Sequence, residues 1–190
     1  MKTIKFSFNE RKAAQAAGRL IQHSGGEMNY LALMKLLYLI DREALIRFGK
    51  TVTGDKFAAM KEGMVLSCVL DLISQKKQHL PQSQWHQFIP RPAPYVYTVR
   101  FSGLPDASQL SEAEIALIDE VFARHRKKSE WQLRDFTHAL PEWRDPGNSS
   151  VSVPYEEVLK AAKVPQSEIE AIAREAAADK FMDDALASVR

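Results

Sequence analysis

The chain has 190 residues, of which 45% are apolar and 26% are charged, and its formal net charge is +2. This composition is typical of a soluble globular domain, and it excludes a membrane-spanning protein because no segment stays apolar long enough to cross a bilayer. The charged N-terminal segment MKTIKFSFNERK lacks the apolar run of a signal peptide. We therefore predict a cytoplasmic protein that forms a single domain over residues 1–190.

The only cysteine, Cys68, lies in the apolar segment MVLSCVLDLI. One cysteine excludes an internal disulfide and a cysteine-based metal site. The surrounding sequence has no signature of an activated thiol, so we expect Cys68 to be a small buried residue.

Charge is distributed unevenly along the chain. Residues 1–61 carry eleven Lys or Arg against five Asp or Glu, whereas residues 165–190 carry three against six. A basic region can recruit nucleic acid or an acidic protein partner, and a solvated helical face gives the same count without any partner. Both interpretations stay open from the sequence.

The N-terminal part predicts a helix-turn-helix. Asn9 is a suitable N-cap for a helix that reaches about His23, and a Gly-Gly pair then favours a turn. The second helix is predicted from about Asn29 to Phe48, with Gly49 as its left-handed C-cap. Its segment LMKLLYLI is apolar on more than one face, which predicts a buried core helix rather than one that reads DNA bases.

The middle of the chain contains the candidate strands. TVTGD predicts a turn, FAAMK a short extended piece, Gly63 another turn, and the residues from about Leu66 to Lys76 a helix. The segment YVYTVRF alternates in the manner of a strand, and WHQFI before it is the predicted partner in a small antiparallel β-hairpin. We therefore predict a mainly α fold (α+β) with a minor β part.

The last third predicts four helices from their N-terminal signals. Two capping boxes, Ser111 with Glu114 and Ser129 with Gln132, begin helices that end near His125 and Ala139. Pro141 should end the latter helix and open an irregular loop, which we expect Trp143 to anchor to the core. Two further prolines predict helices over residues 155–162 and 166–189.

Motifs for catalysis are missing from the sequence. The five histidines never fall at the spacing that lets one helix present two metal ligands, and no phosphate-binding loop, GxSxG or HExxH motif occurs. We expect the carboxylates of the Asp41/Glu43, Glu142/Asp145 and Glu156/Glu157 pairs to have surface roles, and His138 to be structural. The sequence thus predicts no catalytic residue, no metal ligand and no cofactor, which favours a binding protein over an enzyme.

One segment carries a family resemblance. The chain resembles the Panacea domain, also called the SocA-like antitoxin domain, in the segment MNYLALMKLLYLIDREALIRFGKTVTGDKFAAMKEGMVLS. The family pattern that this segment follows consists of a KLLY helix, an Asp-Arg pair, a TGD turn and a G-P-V-L-S segment. Downstream, LSEAE and THALPEW resemble the family's later elements in the same order. One departure is Met64, where the family usually has proline.

The resemblance implies an antitoxin that neutralises a toxin protein by direct contact, with a cognate toxin as partner and a homo-oligomer possible. A DNA-binding transcriptional repressor, a phage-associated adaptor and an enzyme with an unrecognised site are the alternatives. The candidate partner-binding or groove-lining residues are polar groups in or beside the matched segment, namely Lys35, Tyr38, Asp41, Arg42, Lys61 and Ser67. Internal ion pairs or caps are the alternative role for these side chains.

Overall fold

Eight helices and five short strands make up the part of the chain described by the computed structural model, which covers residues 3–74, 83–90, 97–102 and 106–187. The helices are α1 Glu10–His23, α2 Tyr30–Phe48, α3 Ser67–Ser74, α4 Gln84–Phe88, α5 Glu112–His125, α6 Glu130–His138, α7 Tyr155–Ala161 and α8 Gln166–Ala187. The strands are β1 Glu27–Asn29, β2 Phe57–Met60, β3 Gly63–Leu66, β4 Thr98–Arg100 and β5 Val151–Val153. The mainly α class with a minor β part is confirmed.

The predicted helix-turn-helix is present, with a short strand in its turn. The Asn9 side chain accepts a hydrogen bond from the Lys12 backbone N–H and caps α1. Gly49 ends α2 with a φ of 69°, in the left-handed region that glycine adopts without strain. Between the helices lies β1, which the sequence did not predict.

Helix α2 is the centre of the core. Every residue from Leu33 to Ile40 is buried, including a lysine, and the helix packs on α5, α6 and β3. A helix buried on several faces cannot present its side chains to base edges in a DNA groove. The predicted core role of LMKLLYLI is therefore confirmed.

The β part differs from the prediction. The WHQFI segment is not a strand, because residues Gln84–Phe88 form α4, capped by Ser83 and with Trp85 buried. YVYTVRF does contain a strand in its described residues, β4, but this strand pairs antiparallel with β1, about seventy residues earlier in the chain. A period-two pattern indicates an extended segment and does not identify its partner, so the predicted hairpin is wrong.

The true hairpin is formed by β2 and β3, and β5 adds to the other edge of β2 to give the order β3-β2-β5. Gly63, with a φ of 89°, begins β3 immediately after the turn. The residues before Ser67 are therefore a strand, where a turn followed by a helix from Leu66 was predicted. The predicted end of that helix at Lys76 lies outside the described residues.

The helices of the C-terminal part follow their predicted signals. Both capping boxes form, with Ser111 and Glu114 at α5 and with Ser129 and Gln132 at α6. The Trp143 ring nitrogen donates to the Met60 carbonyl oxygen over 3.2 Å, which anchors the loop after α6 as predicted. No helix in the described ranges is long and apolar enough to cross a membrane.

Candidate partner-binding site

The Asp41 carboxylate is enclosed within the protein. It is fully buried and accepts hydrogen bonds from the backbone N–H groups of Val52 and Thr53, at 2.9 and 3.0 Å, and from the Thr53 hydroxyl. Burial raises the pKa of Asp41 to about 7, although these hydrogen bonds favour the charged form. Asp41 therefore joins α2 to the TVTGD turn and does not have the surface role expected for it.

Tyr38 and Arg42 converge on one buried carboxylate, that of Glu142. Glu142 Oε1 accepts a hydrogen bond from the Tyr38 hydroxyl at 2.8 Å and one from Arg42 Nε at 2.5 Å. The Glu142 side chain has no exposed surface, and that of Arg42 is only 15% exposed. The expected surface role of Glu142 is wrong, because this residue ties the loop after α6 to the central helix.

Lys35 is a buried lysine that bonds to a backbone carbonyl group. Its side chain has no exposed surface, and its Nζ donates to the Met64 carbonyl oxygen at 2.9 Å. No ion pair to Lys35 occurs in the described part of the chain. Burial lowers the pKa of Lys35 to about 7, since desolvation disfavours the charged ammonium.

An open groove with a volume of about 620 Å³ lies above Lys35, and we call it the aromatic groove. It is bounded by the start of α2, the β2–β3 hairpin, Tyr97 and the start of α6. Its apolar lining residues are Tyr30, Leu31, Met34, Met60, Val65, Leu70, Tyr97 and Trp131, and its polar lining residues are Asn29, Lys35, Lys61, Glu62 and Glu130.

Two large aromatic side chains of the groove are unusually exposed. Tyr97 is 58% and Trp131 is 53% accessible to solvent. The Tyr97 ring stacks on that of Tyr30, with centroids 5.9 Å apart. The Arg134 guanidinium lies 5.1 Å from the Trp131 ring and also pairs with Glu62 at 3.5 Å. These contacts orient the aromatic rings while leaving much of their surface open.

The predicted site residues thus occupy different places. Lys35 and Lys61 line the aromatic groove, and Lys61 is exposed at the β2–β3 turn, where its carbonyl oxygen lies 3.1 Å from His138 Nε2. Tyr38, Asp41 and Arg42 belong to the internal hydrogen-bond sets described above. Ser67 is half-buried at the start of α3, apart from the groove lining.

Other side chains correct or extend the sequence analysis. Cys68 is half-buried rather than buried, because it lies in the first turn of α3, where Asp55 accepts its backbone N–H at 2.9 Å. His138 stacks on Trp143 with centroids 4.2 Å apart, consistent with its predicted structural role. Trp131 was missed because apolar residues in an amphipathic helix are expected on its buried side.

Comparison with known families identifies the chain. Residues 33–144, which include α2 from Leu33 onward, the β2–β3 hairpin and α6, match the family described as antitoxin SocA-like, Panacea domain. Neither a curated protein nor a solved structure shows significant similarity to the chain. The match covers 112 of the 190 residues and contains Lys35, Trp131, Glu142 and the hairpin that walls the aromatic groove. The chain therefore belongs to the SocA-like antitoxin family with the Panacea domain.

Proposed function

We propose that this protein neutralises a cognate toxin by direct protein–protein binding, with the aromatic groove as the contact surface. The observation that supports this proposal is the pair of exposed aromatic side chains, Tyr97 and Trp131, on a groove within a member of an antitoxin family. An antitoxin of this kind acts in the cytoplasm, where the toxin is made.

The groove has the composition of a binding interface. Aromatic side chains are enriched at protein–protein interfaces because they bury a large apolar area at a small cost in conformational entropy. The charged side chains of Lys61, Glu62 and Arg134 surround the apolar part, as in interfaces with a polar rim. The occupant that fits is a protruding apolar or aromatic side chain of the toxin, flanked by polar groups.

We further propose that the protein has no enzymatic activity. Asp41 and Lys35 have pKa values near neutrality, as catalytic acids and bases often do, but neither residue has exposed surface. A general acid or base must come within hydrogen-bonding distance of its substrate. Their perturbed pKa values are therefore explained by burial in the core.

Co-expression with the protein encoded beside this gene tests the proposal. We expect the wild-type chain to rescue growth and to co-purify with the toxin in a stoichiometric complex. The variant Trp131→Ala should fold but bind the toxin at least about thirty times more weakly, as expected for an aromatic anchor that contributes about 2 kcal/mol.

Phe48→Ala is the matched control, since Phe48 is 47% exposed at the end of α2 and is not part of the groove lining. It should rescue growth as well as the wild type does. Rescue without a complex would refute direct neutralisation, and full activity of Trp131→Ala would exclude the groove as the contact surface.

A further inference from the structure

A second cavity, the basic cleft, lies where α5 ends and α6 begins. It has a volume of about 400 Å³, and its polar lining includes His125 and the three consecutive cations Arg126, Lys127 and Lys128. Asn29 and Glu130 line both the basic cleft and the aromatic groove, so the two cavities adjoin each other.

Among the residues that the structure describes, no carboxylate neutralises the three cations of the cleft. None of them forms an ion pair within the described ranges, whereas Arg124, two residues earlier, pairs with both Glu43 and Glu120. The Lys128 ammonium instead lies 5.9 Å from the centre of the Phe136 ring. The positive charge of the turn between α5 and α6 is therefore available to an external anion.

His125 supplies a second and independent indication of a ligand. His125 lines the cleft and is only 3% exposed, and its Nδ1 atom has no hydrogen-bond partner among the described residues. A buried polar atom without a partner is unfavourable and calls for an explanation, and a bound polar group is one such explanation. Burial, with Lys128 and Arg124 nearby, lowers the pKa of His125 to about 4, so its ring is neutral at physiological pH.

The cleft also contains features that define its ligand. Glu130 contributes one carboxylate and is held by Asn29 at 3.4 Å, so the charged lining is positive on balance but not uniformly so. Apolar side chains, among them Met28, Leu36 and Leu133, form part of the wall. The volume exceeds that of a single carboxylate or phosphate group. A ligand with both an anionic group and an apolar body fits this lining better than a bare inorganic anion.

We propose that the basic cleft binds an acidic side chain of a polypeptide, whose carboxylate lies between His125 and the Arg126–Lys128 turn and whose neighbouring apolar part continues into the aromatic groove. In its biological form this inference rests on the proposed function, because the polypeptide would be a segment of the toxin. The toxin segment would then present an acidic residue close to its apolar anchor. Charge complementarity of this kind gives selectivity and faster association.

Binding of a defined probe to the full chain tests the cleft without the toxin. The probe is an N-acetylated, C-amidated Glu-Leu-Glu-Trp peptide, compared with its Gln-Leu-Gln-Trp analogue and with inorganic phosphate. NMR of the imidazole nitrogens reports on His125 directly. We expect the acidic peptide to bind with a dissociation constant on the order of 1 mM and to shift the His125 Nδ1 resonance, while the glutamine analogue does neither.

Two triple variants separate local from general charge effects. The cleft variant R126A/K127A/K128A should bind the acidic peptide at least about tenfold more weakly, whereas K160A/K163A/R174A, which removes the same charge from exposed positions on and near α7 and α8, should change binding less than about twofold. Equal losses in both variants, or a silent His125, would overturn the proposal. Binding of phosphate without the acidic peptide would overturn it as well, in favour of a phosphate site.

The same variants in the co-expression assay distinguish the two proposals. If the wild type fails to neutralise the neighbouring protein but binds the acidic peptide at His125, the proposed function fails and the cleft remains a peptide site. If the wild type neutralises the toxin and the cleft variant does so equally well, the antitoxin function stands and the acidic-segment inference is wrong.

Discussion

Replacing Lys35 by methionine should stabilise the protein, and the gain should depend on pH. Methionine has a similar length and no charge, so it removes the desolvation penalty of the fully buried ammonium. A pKa lowered from 10.5 to about 7 corresponds to about 5 kcal/mol, at about 1.4 kcal/mol per pKa unit. The lost hydrogen bond to the Met64 carbonyl oxygen offsets about 1 to 3 kcal/mol of this gain.

The pH dependence follows from proton binding in the two states. The unfolded chain protonates Lys35 below pH 10.5, whereas the folded protein protonates it only below about pH 7. The penalty for burying the charge is therefore complete below about pH 7 and disappears as the pH rises to 10.5. We expect Lys35→Met to be about 2 to 4 kcal/mol more stable than the wild type near pH 6 and no more stable near pH 10.

Urea denaturation of both proteins at the two pH values measures this difference. Lys61→Met is the control, because Lys61 lines the same groove but is exposed, so its replacement removes no buried charge. A stability difference for Lys35→Met that is the same at both pH values would refute the lowered pKa. A loss of stability near pH 6 would refute the conclusion that the buried charge is unfavourable.

Three other changes have defined outcomes in the same denaturation assay. Glu142→Ala should lower the free energy of unfolding by about 3 to 5 kcal/mol, because it leaves the largely buried Arg42 guanidinium without its carboxylate. A decrease below about 1 kcal/mol would argue against a buried pair. Gly63→Ala should destabilise the protein by about 1 to 3 kcal/mol, since the backbone has a φ of 89° and the added methyl group would clash with the Thr137 hydroxyl. An unchanged urea midpoint would refute this clash. Ser111→Ala should cost about 1 kcal/mol through loss of the α5 capping box, and Ser111→Asp, which retains a capping oxygen, should restore most of it.

The helices could be predicted because their signals are local. The Asn9 cap, the left-handed Gly49 and the two capping boxes each lie within one turn of the helix end that they define. The strand pairings could not be predicted, because β1 pairs with β4 and β2 with β5, across about seventy and about ninety residues. Strands of three or four residues are too short for their pattern to select one partner among several.

The candidate site was predictable only in part. A lysine within the apolar LMKLLYLI segment is conspicuous in the sequence, and Lys35 does lie against the groove. The burial of Glu142 depends on contacts with α2 about one hundred residues away, which no local pattern reveals. The exposure of Trp131 was unpredictable for a different reason, since the sequence does not show which apolar side chains the core leaves uncovered.

The aromatic groove is assembled from segments that are distant in the chain, namely the start of α2, the β2–β3 hairpin, Tyr97 and the start of α6. Its lining residues are spread over residues 29–131, so no short fragment of the sequence contains the groove, and the surface exists only while the core around α2 is intact. Proteolysis or unfolding would abolish the surface as a whole rather than weaken it by degrees. For an antitoxin that acts through this groove, the level of active toxin would then follow the number of intact antitoxin molecules. Controlled degradation of one antitoxin molecule would fully release the one toxin molecule that it holds.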